Sequence, residues 1–318
     1  MIKFCGVALA LLAALSAQAM PTMDQRIAAA TQTAHQHPNC TAIAPFYWEI
    51  GGPQNKLAGD SVLAASDPTV VDANTVMNIA SASKWMFASY VVQRQGTLTQ
   101  AGIDLLTFTS GFTNFKTCLP GQTVHSCLTM GENGDWSHDT AGHFFYNGGH
   151  MQKHADLLGL GDMDNTALAH ELQTQLGFDV HLSYSQPQPA GGVVSTASDY
   201  ARFLRKILTG SLAMRQYLST PNVCTHYDPV DCPTALKSPT DQKWHYGLGH
   251  WIEDDYGNGD DGAYSSAGAF GFYPWIDSTG RAWYGVVARR TEDAGQGFES
   301  QQCGKMIRRA WVHGTVQR

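Results

Sequence analysis

The sequence predicts an α+β fold in which one antiparallel sheet is built from both ends of the chain and a helical lobe is inserted between them. Three observations lead there. Apolar, β-forming runs occur around residues 41–65 and again around 269–289. The long stretch between them carries apolar residues mainly at helical spacing. Cys40 and Cys303 lie near the two ends, where a disulfide would join the first strand region to the last helix.

Element by element, residues 1–19 have the form of a secretory signal peptide. A lysine at position 3 is followed by an apolar run too short to span a bilayer, then Ala17-Gln18-Ala19, with cleavage expected after Ala19. Residues 23–37 read as a helix. The β-rich TAIAPFYWEI at 41–50, the turn Gly51-Gly52-Pro53 and a returning strand at 61–65 read as a first hairpin. Helical pattern runs from Ser81 to about residue 208, broken by a polar loop near 113–140. Residues 269–276 and 281–289, joined by Asp277-Ser278-Thr279-Gly280, form a second hairpin, and 299–312 closes the chain as a helix. Neither a repeat nor a low-complexity linker divides the chain. The expectation is a single domain over 20–318, with the helical lobe at roughly 85–208.

Composition narrows the function. The 318 residues are 43% hydrophobic and 15% charged, which suits a large core. A net charge of -7 without any Lys/Arg run argues against nucleic acid. After signal removal no apolar run is long enough to cross a membrane, so a secreted or periplasmic protein is expected. Cys5 would leave with the signal; Cys40, Cys118, Cys127, Cys224, Cys232 and Cys303 remain. An even number in an exported chain suggests disulfides, with several connectivities open. The expected pairs are two local staples, Cys118 to Cys127 and Cys224 to Cys232, and Cys40 to Cys303 between the ends.

The chemistry centres on NIASASKWMF, residues 79–88. Ser81 and Lys84 are three apart, so on a helix starting near Ser81 their side chains share a face, while Ser83 points elsewhere. A serine hydroxyl is a poor nucleophile until a base lies within hydrogen-bond reach. A lysine serves as that base when burial disfavours its ammonium form. The free N–H groups at the start of the helix would hold an oxyanion.

MNIASASKWMFASYVVQRQGTL resembles the active-site helix of the penicillin-recognising serine hydrolases, which include class C β-lactamases, D-Ala-D-Ala carboxypeptidases and related esterases. IDLLTFTSGF (103–112), AGGVVSTASDYARFL (190–204) and SAGAFGFYPWID (266–277) are similar, in the same order, to later segments of that family. The resemblance implies a β-lactamase/transpeptidase-like fold, with a sheet flanked by helices, and an S-x-x-K acyl-enzyme mechanism without a cofactor. It makes Ser81 the nucleophile and Lys84 the base. In HFFYNGGH (143–150) it makes Tyr146 the proton shuttle, as phenol or phenolate, with Asn147 beside the substrate. It places Ser266 and Gly268 on the strand next to the substrate, and the N–H groups of Ser81 and Ala269 in the oxyanion hole. Two departures stand out. The family's Tyr-x-Asn reads Tyr146-Asn147-Gly148, and its Lys-Thr-Gly or His-x-Gly reads Ser266-Ala267-Gly268, without the cation that usually holds a substrate carboxylate.

Other signals carry less. His138, His143, His150 and His154 gather with Asp135 and Asp139, yet no H-E-x-x-H is present, and no metal is expected. The acidic EDDYGNGDDG (253–262) reads as a solvated turn. The α/β-hydrolase elbow G-x-S-x-G is missing. The reading is therefore an exported serine hydrolase of a small-molecule ester, amide or lactam, leaning to ester or amide because of Ser266. A β-lactamase or D-amino-peptidase is the near alternative; a non-catalytic ligand-binding or sensor module on the same fold is the alternative of another class.

Overall fold

A computed structural model describes residues 20–318. The expected signal peptide and Cys5 lie outside the described residues. The principal sheet has eight strands, β1 (Phe46–Gly51), β2 (Lys56–Val62), β3 (Val223–Cys224), β4 (His245–Tyr246), β5 (Trp251–Glu253), β6 (Ala263–Ser265), β7 (Phe272–Ile276) and β8 (Tyr284–Arg289). Their spatial order is β2-β1-β8-β7-β6-β5-β4-β3, antiparallel throughout. The α+β class expected from the two ends is thus the observed one, with β1 and β8 paired from Phe46↔Arg289 to Gly51↔Tyr284.

Alternation along β1 explains why every residue in it is buried. Phe46, Trp48 and Ile50 enter one core with helix α1 (Met23–Gln36) and the last helix; Tyr47 enters the other core, against the helical lobe. Both faces of the sheet are covered. The lobe contains α2 (Ser83–Gln95), α3 (Gln100–Leu106), α4 (Gly149–Ala155), α5 (Asn165–Leu176) and α6 (Ala197–Thr209); α7 (Gln296–His313) closes the chain. From Ser83 to Val92 each residue of α2 is buried, as expected of a helix apolar on all sides and set at the centre. All three disulfides form the expected pairs, Cys40–Cys303, Cys118–Cys127 and Cys224–Cys232. Among the described residues no helix is long and apolar enough to cross a membrane.

Several expectations move. The returning strand of the first hairpin begins at Lys56, earlier than position 61, because the turn closes at once when Gly52 N–H bonds to Asn55 O. The second hairpin's first strand begins at Phe272, since Gly268 to Gly271 form a tight turn with Gly271 at φ 88°. The loop at 113–140 contains a short helix, Val124–Leu128, and a strand, Trp136–Ala141. Strands β3 to β6 escaped the sequence reading, being two or three residues long, below the length at which alternation is visible.

Within the acidic stretch 253–262 the tip, residues 256–259, is the exposed turn expected, whereas acidic residues flanking it enter an ion-pair centre. Glu253 is fully buried and meets Arg308 of α7 at 2.8 Å; Asp261 meets the same guanidinium at 2.7 Å, and Asp260 pairs with Lys305. Partners about fifty residues away in sequence are invisible to local composition.

Candidate functional site

Ser81 sits in a single 3-10 turn, Ala80–Ala82, that runs into α2. The approach to it is pinned by a short ladder in which Met77–Asn78 pairs with Val193–Ser195 and Ile79 N–H bonds to Val193 O at 3.0 Å. Ala80 is held at φ 44°, a conformation costly for a residue with a Cβ, and its N–H donates to Asn78 Oδ1 at 2.9 Å. The turn's carbonyls are then taken up by side chains. Ser83 Oγ donates to Ala80 O at 2.5 Å and accepts from Val193 N–H at 3.1 Å; Tyr200 donates to Ala82 O at 2.9 Å; Ser266 Oγ donates to Ser81 O at 3.2 Å. Ser83 thus points away from Ser81, as the helical spacing implied. Such clamping holds a strained turn and leaves the Ser81 side chain free to project.

Lys84 Nζ lies 2.8 Å from Ser81 Oγ and donates to Ala190 O at 2.7 Å. The side chain is 5% exposed, and burial pulls its pKa from 10.5 down to about 7. A neutral amine is therefore well populated at neutral pH. Tyr146 follows the strand Phe144–Phe145, its N–H bonded to Lys237 O at 2.9 Å. Its ring stacks on Trp251 at 5.4 Å and stands edge-on to Phe108 at 5.5 Å; Lys84 Nζ is 4.9 Å from its centroid. Burial pushes the phenol up to about 12, partly offset by the Ser81 hydroxyl that it faces. Of the two forms considered for Tyr146, phenolate is the one this environment disfavours, and Lys84 is the better base.

Ser81 lies between two clefts of ≈ 310 Å³ and ≈ 300 Å³. The first is polar, with Asn78, Thr117, Ser185, Gln186 and Gln188 around Lys84; the second is apolar, with Tyr146, Pro239, Trp251, Ala269 and Phe298. Gly268 packs so tightly behind Ser81 that a Cβ there would lie 2.1 Å from Ile79 O. Neither Ser81 N–H nor Ala269 N–H has a hydrogen-bond partner among the described residues.

Ser81, Lys84, Tyr146, Gly268 and Ala269 are thus brought together. Ser266 and Asn147 are not substrate-facing, which corrects two expectations. The Ser266 hydroxyl is taken by Ser81 O. The Asn147 amide donates to Phe115 O at 3.1 Å and accepts from Gly149 N–H at 2.8 Å, which fixes the start of α4, and it lines neither cleft. Both polar groups satisfy nearby backbone, a competing use that spacing does not reveal. Sequence reasoning missed Trp251, Gln188 and the Ala190 carbonyl; only the Ala-Gly-Gly run at 190–192 signalled that the last of these lay nearby. The histidines do not converge. His138 is exposed beside Asp139, whereas His150 is buried between Ser110 at 2.7 Å and Phe145 O at 3.0 Å.

The fold has clear counterparts among solved structures. The D-amino acid amidase of Ochrobactrum anthropi aligns with TM-score 0.63 over 90% of this chain and 98% of its own, at 11% identity. EstCE1, a hydrolase with promiscuous acyltransferase activity, aligns with TM-score 0.59 over 91% and 98%, at 14% identity. A protein assigned as a β-lactamase from Bacteroides dorei aligns with TM-score 0.55 over 84% and 94%, at 20% identity. At such identities the likeness is one of fold, and that fold is β-lactamase/transpeptidase-like. No family model matches the chain, and no curated protein sequence does.

Proposed function

We propose that residues 20–318 form one serine hydrolase domain, exported from the cell, that cleaves an ester or amide through an acyl-enzyme on Ser81. The observation that carries the reading is the 2.8 Å contact between Ser81 Oγ and a buried Lys84 whose pKa is drawn down to about 7. Among the described residues that lysine has no carboxylate partner to hold it in the ammonium form. The three disulfides support export.

The mechanism follows from these positions. Ser81 Oγ attacks the substrate carbonyl carbon while its proton passes to neutral Lys84. The carbonyl oxygen, now negative, is held by the N–H groups of Ser81 and Ala269. Tyr146, a neutral phenol, gives its proton to the leaving group and recovers one from Lys84, so both end as they began. A water then attacks the acyl carbon, its proton following the reverse path to Ser81 Oγ. The apolar cleft on the Tyr146 side would receive the leaving group and the polar cleft beside Lys84 the acyl part.

Substrate charge follows from what lines the clefts. Apart from Lys84 they contain no cationic side chain, so a substrate carboxylate would enter without a partner. This favours neutral esters or amides over penicillins and carboxyl-terminal D-peptides. The D-amino acid amidase and the acyltransferase-active hydrolase with this fold are in keeping with that preference.

The test is intact-mass analysis after a fluorophosphonate probe. One adduct on the wild type, absent from Ser81→Ala, is expected. No adduct on folded protein would favour a binding module, and nitrocefin turnover at the rate of an efficient lactamase would overturn the ester and amide preference.

A further inference from the structure

The proton given to the leaving group comes from Tyr146, whose hydroxyl has no fixed anchor. Tyr200 donates to Ala82 O at 2.9 Å and Tyr273 to a Glu253 carboxylate oxygen at 2.7 Å, which locks each of those rings through its polar end. The Tyr146 hydroxyl faces Ser81 and hydrogen-bonds to no other described residue. The backbone on either side is fixed, by Tyr146 N–H on Lys237 O and by the Asn147 turn, so the freedom left is in the side chain.

Packing has to supply the orientation. Trp251 lies along the face of the Tyr146 ring, with centroids 5.4 Å apart and planes at 20°, while Phe108 and Tyr246 meet the ring edge-on at 5.5 Å and 5.9 Å. The same indole lines the apolar cleft beside Ser81, so it opposes any tilt of the ring on that side. The indole is itself firmly mounted. Trp251 is 1% exposed, and on β5 it stands opposite Tyr246 of β4 and Ser265 of β6. Trp244 and Phe144 meet it edge-on at 5.9 Å and 6.2 Å, and the Trp244 N–H is tied to Asp260 at 2.7 Å.

We propose that Trp251 is a positioning residue: by stacking on Tyr146 it fixes the phenol where it can protonate a poor leaving group, so that cleavage of alkyl esters and amides depends on it far more than cleavage of activated esters. When the tetrahedral adduct collapses, the bond from carbon to the leaving oxygen or nitrogen breaks, that atom takes the Tyr146 proton, and Tyr146 recovers one from Lys84. A nitrophenolate departs as the anion without that proton; an alkoxide needs it. Trp251 exchanges no proton. The inference rests on the Ser81 acyl-enzyme reading with Tyr146 as acid, and deepens it.

The experiment measures kcat/KM for ethyl acetate and p-nitrophenyl acetate, which share the acyl group, in the wild type, Trp251→Met, Trp251→Phe and Tyr146→Phe. In Trp251→Met the ethyl ester should lose at least about tenfold more than the nitrophenyl ester, because a misaligned acid fails only where an acid is needed. Trp251→Leu carries the same expectation should the methionine variant not fold. Trp251→Phe keeps a ring against Tyr146 and should shift the ratio by less than about threefold. Tyr146→Phe should show the bias of Trp251→Met or a larger one. A packing defect alone would lower both esters together, and loss of a leaving-group contact would fall on the bulkier nitrophenyl ester; either result overturns the proposal. If Tyr146→Phe shifts the ratio and Trp251→Met does not, Trp251 has no positioning part and the acyl-enzyme reading stands. If Tyr146→Phe does not shift it, or the wild type cleaves only the nitrophenyl ester, Tyr146 is not a working acid and the inference falls. If the fluorophosphonate fails to modify Ser81, the acyl-enzyme reading fails and this inference with it.

Discussion

Lys84 and Arg308 are both shut away from solvent, 5% and 1% exposed, and their surroundings are opposite. Arg308 meets Glu253 at 2.8 Å and Asp261 at 2.7 Å, and donates to the Tyr273 hydroxyl at 2.7 Å. Burial alone would lower its pKa, but Tyr273, Glu253 and Asp261 outweigh that and raise it above the usual arginine value. Glu253 is itself satisfied by Ser265 at 2.6 Å, Tyr273 at 2.7 Å and Gln301 at 3.2 Å. Among the described residues Lys84 hydrogen-bonds to a hydroxyl and a carbonyl oxygen, with the Tyr146 ring 4.9 Å from its Nζ and no carboxylate beside it. One cation is fully compensated and ties α7 to the sheet. The other is left without a counter-charge among the described residues, which costs stability and leaves the amine able to accept a proton near neutral pH. Perturbed groups of the second kind are where chemistry is expected.

The contrast is broken most directly at Lys84. Lys84→Met should reduce acylation of Ser81 roughly 10³-fold. It should leave the melting temperature no lower than wild type at pH 7, because holding the amine near pKa 7 costs the fold on the order of 5 kcal/mol. The sign follows from linkage. Between about pH 7 and 10.5 the unfolded chain binds the proton and the native site does not, so wild-type stability rises with pH across that window. Below about pH 7 the penalty is present in full. Activity has the complementary profile, with kcat/KM falling tenfold per unit below about pH 7 as Lys84 becomes protonated. A flat profile from pH 5 to 8, or a strongly destabilised Lys84→Met, would show that Lys84 is structural.

The same substitution at the other cation should do the reverse. Arg308→Met leaves Glu253 buried without its charge partner, and urea unfolding should report a loss of about 3–5 kcal/mol. In the fraction that stays folded, Ser81 labelling should proceed at the wild-type rate. Slowed labelling in folded Arg308→Met would mean that the ion-pair centre and the Ser81 turn are coupled.

A smaller effect sharpens the line between scaffold and site. Gly268→Ala places a Cβ against Ile79 O, and relief of that overlap should cost about 1–3 kcal/mol of stability. Because the displaced backbone leads into the Ser81 turn, labelling should slow as well, unlike in Arg308→Met. Wild-type labelling in Gly268→Ala would show that the close packing of Gly268 on Ile79 does not position the Ser81 turn.

Much of the scaffold was legible where the signal is local. β1, α1, the final hairpin and α7 were anticipated with shifted ends, because alternation and helical spacing run long enough in them to be seen. The short strands β3 to β6 were not, and neither was the Arg308 centre, whose members lie on β5, β7, α7 and the loop after Asp260. In the candidate site, the Ser81–Lys84 contact spans three residues and was readable as one turn of helix. The fates of Ser266 and Asn147 were not, since each hydroxyl or amide chose between substrate and a nearby backbone group, and only their surroundings decide that choice.

By itself the sequence determined what depends on near neighbours along the chain: the serine-lysine spacing, the disulfide staples Cys118–Cys127 and Cys224–Cys232, and the alternation that buries both faces of β1. Tertiary structure alone decided the surroundings that draw the Lys84 pKa down. Its pKa depends on being enclosed, and its position on Ala190, 106 residues away in the chain. Desolvation and long-range hydrogen bonding are set by which atoms surround a group, and those atoms arrive from parts of the chain that no local pattern connects.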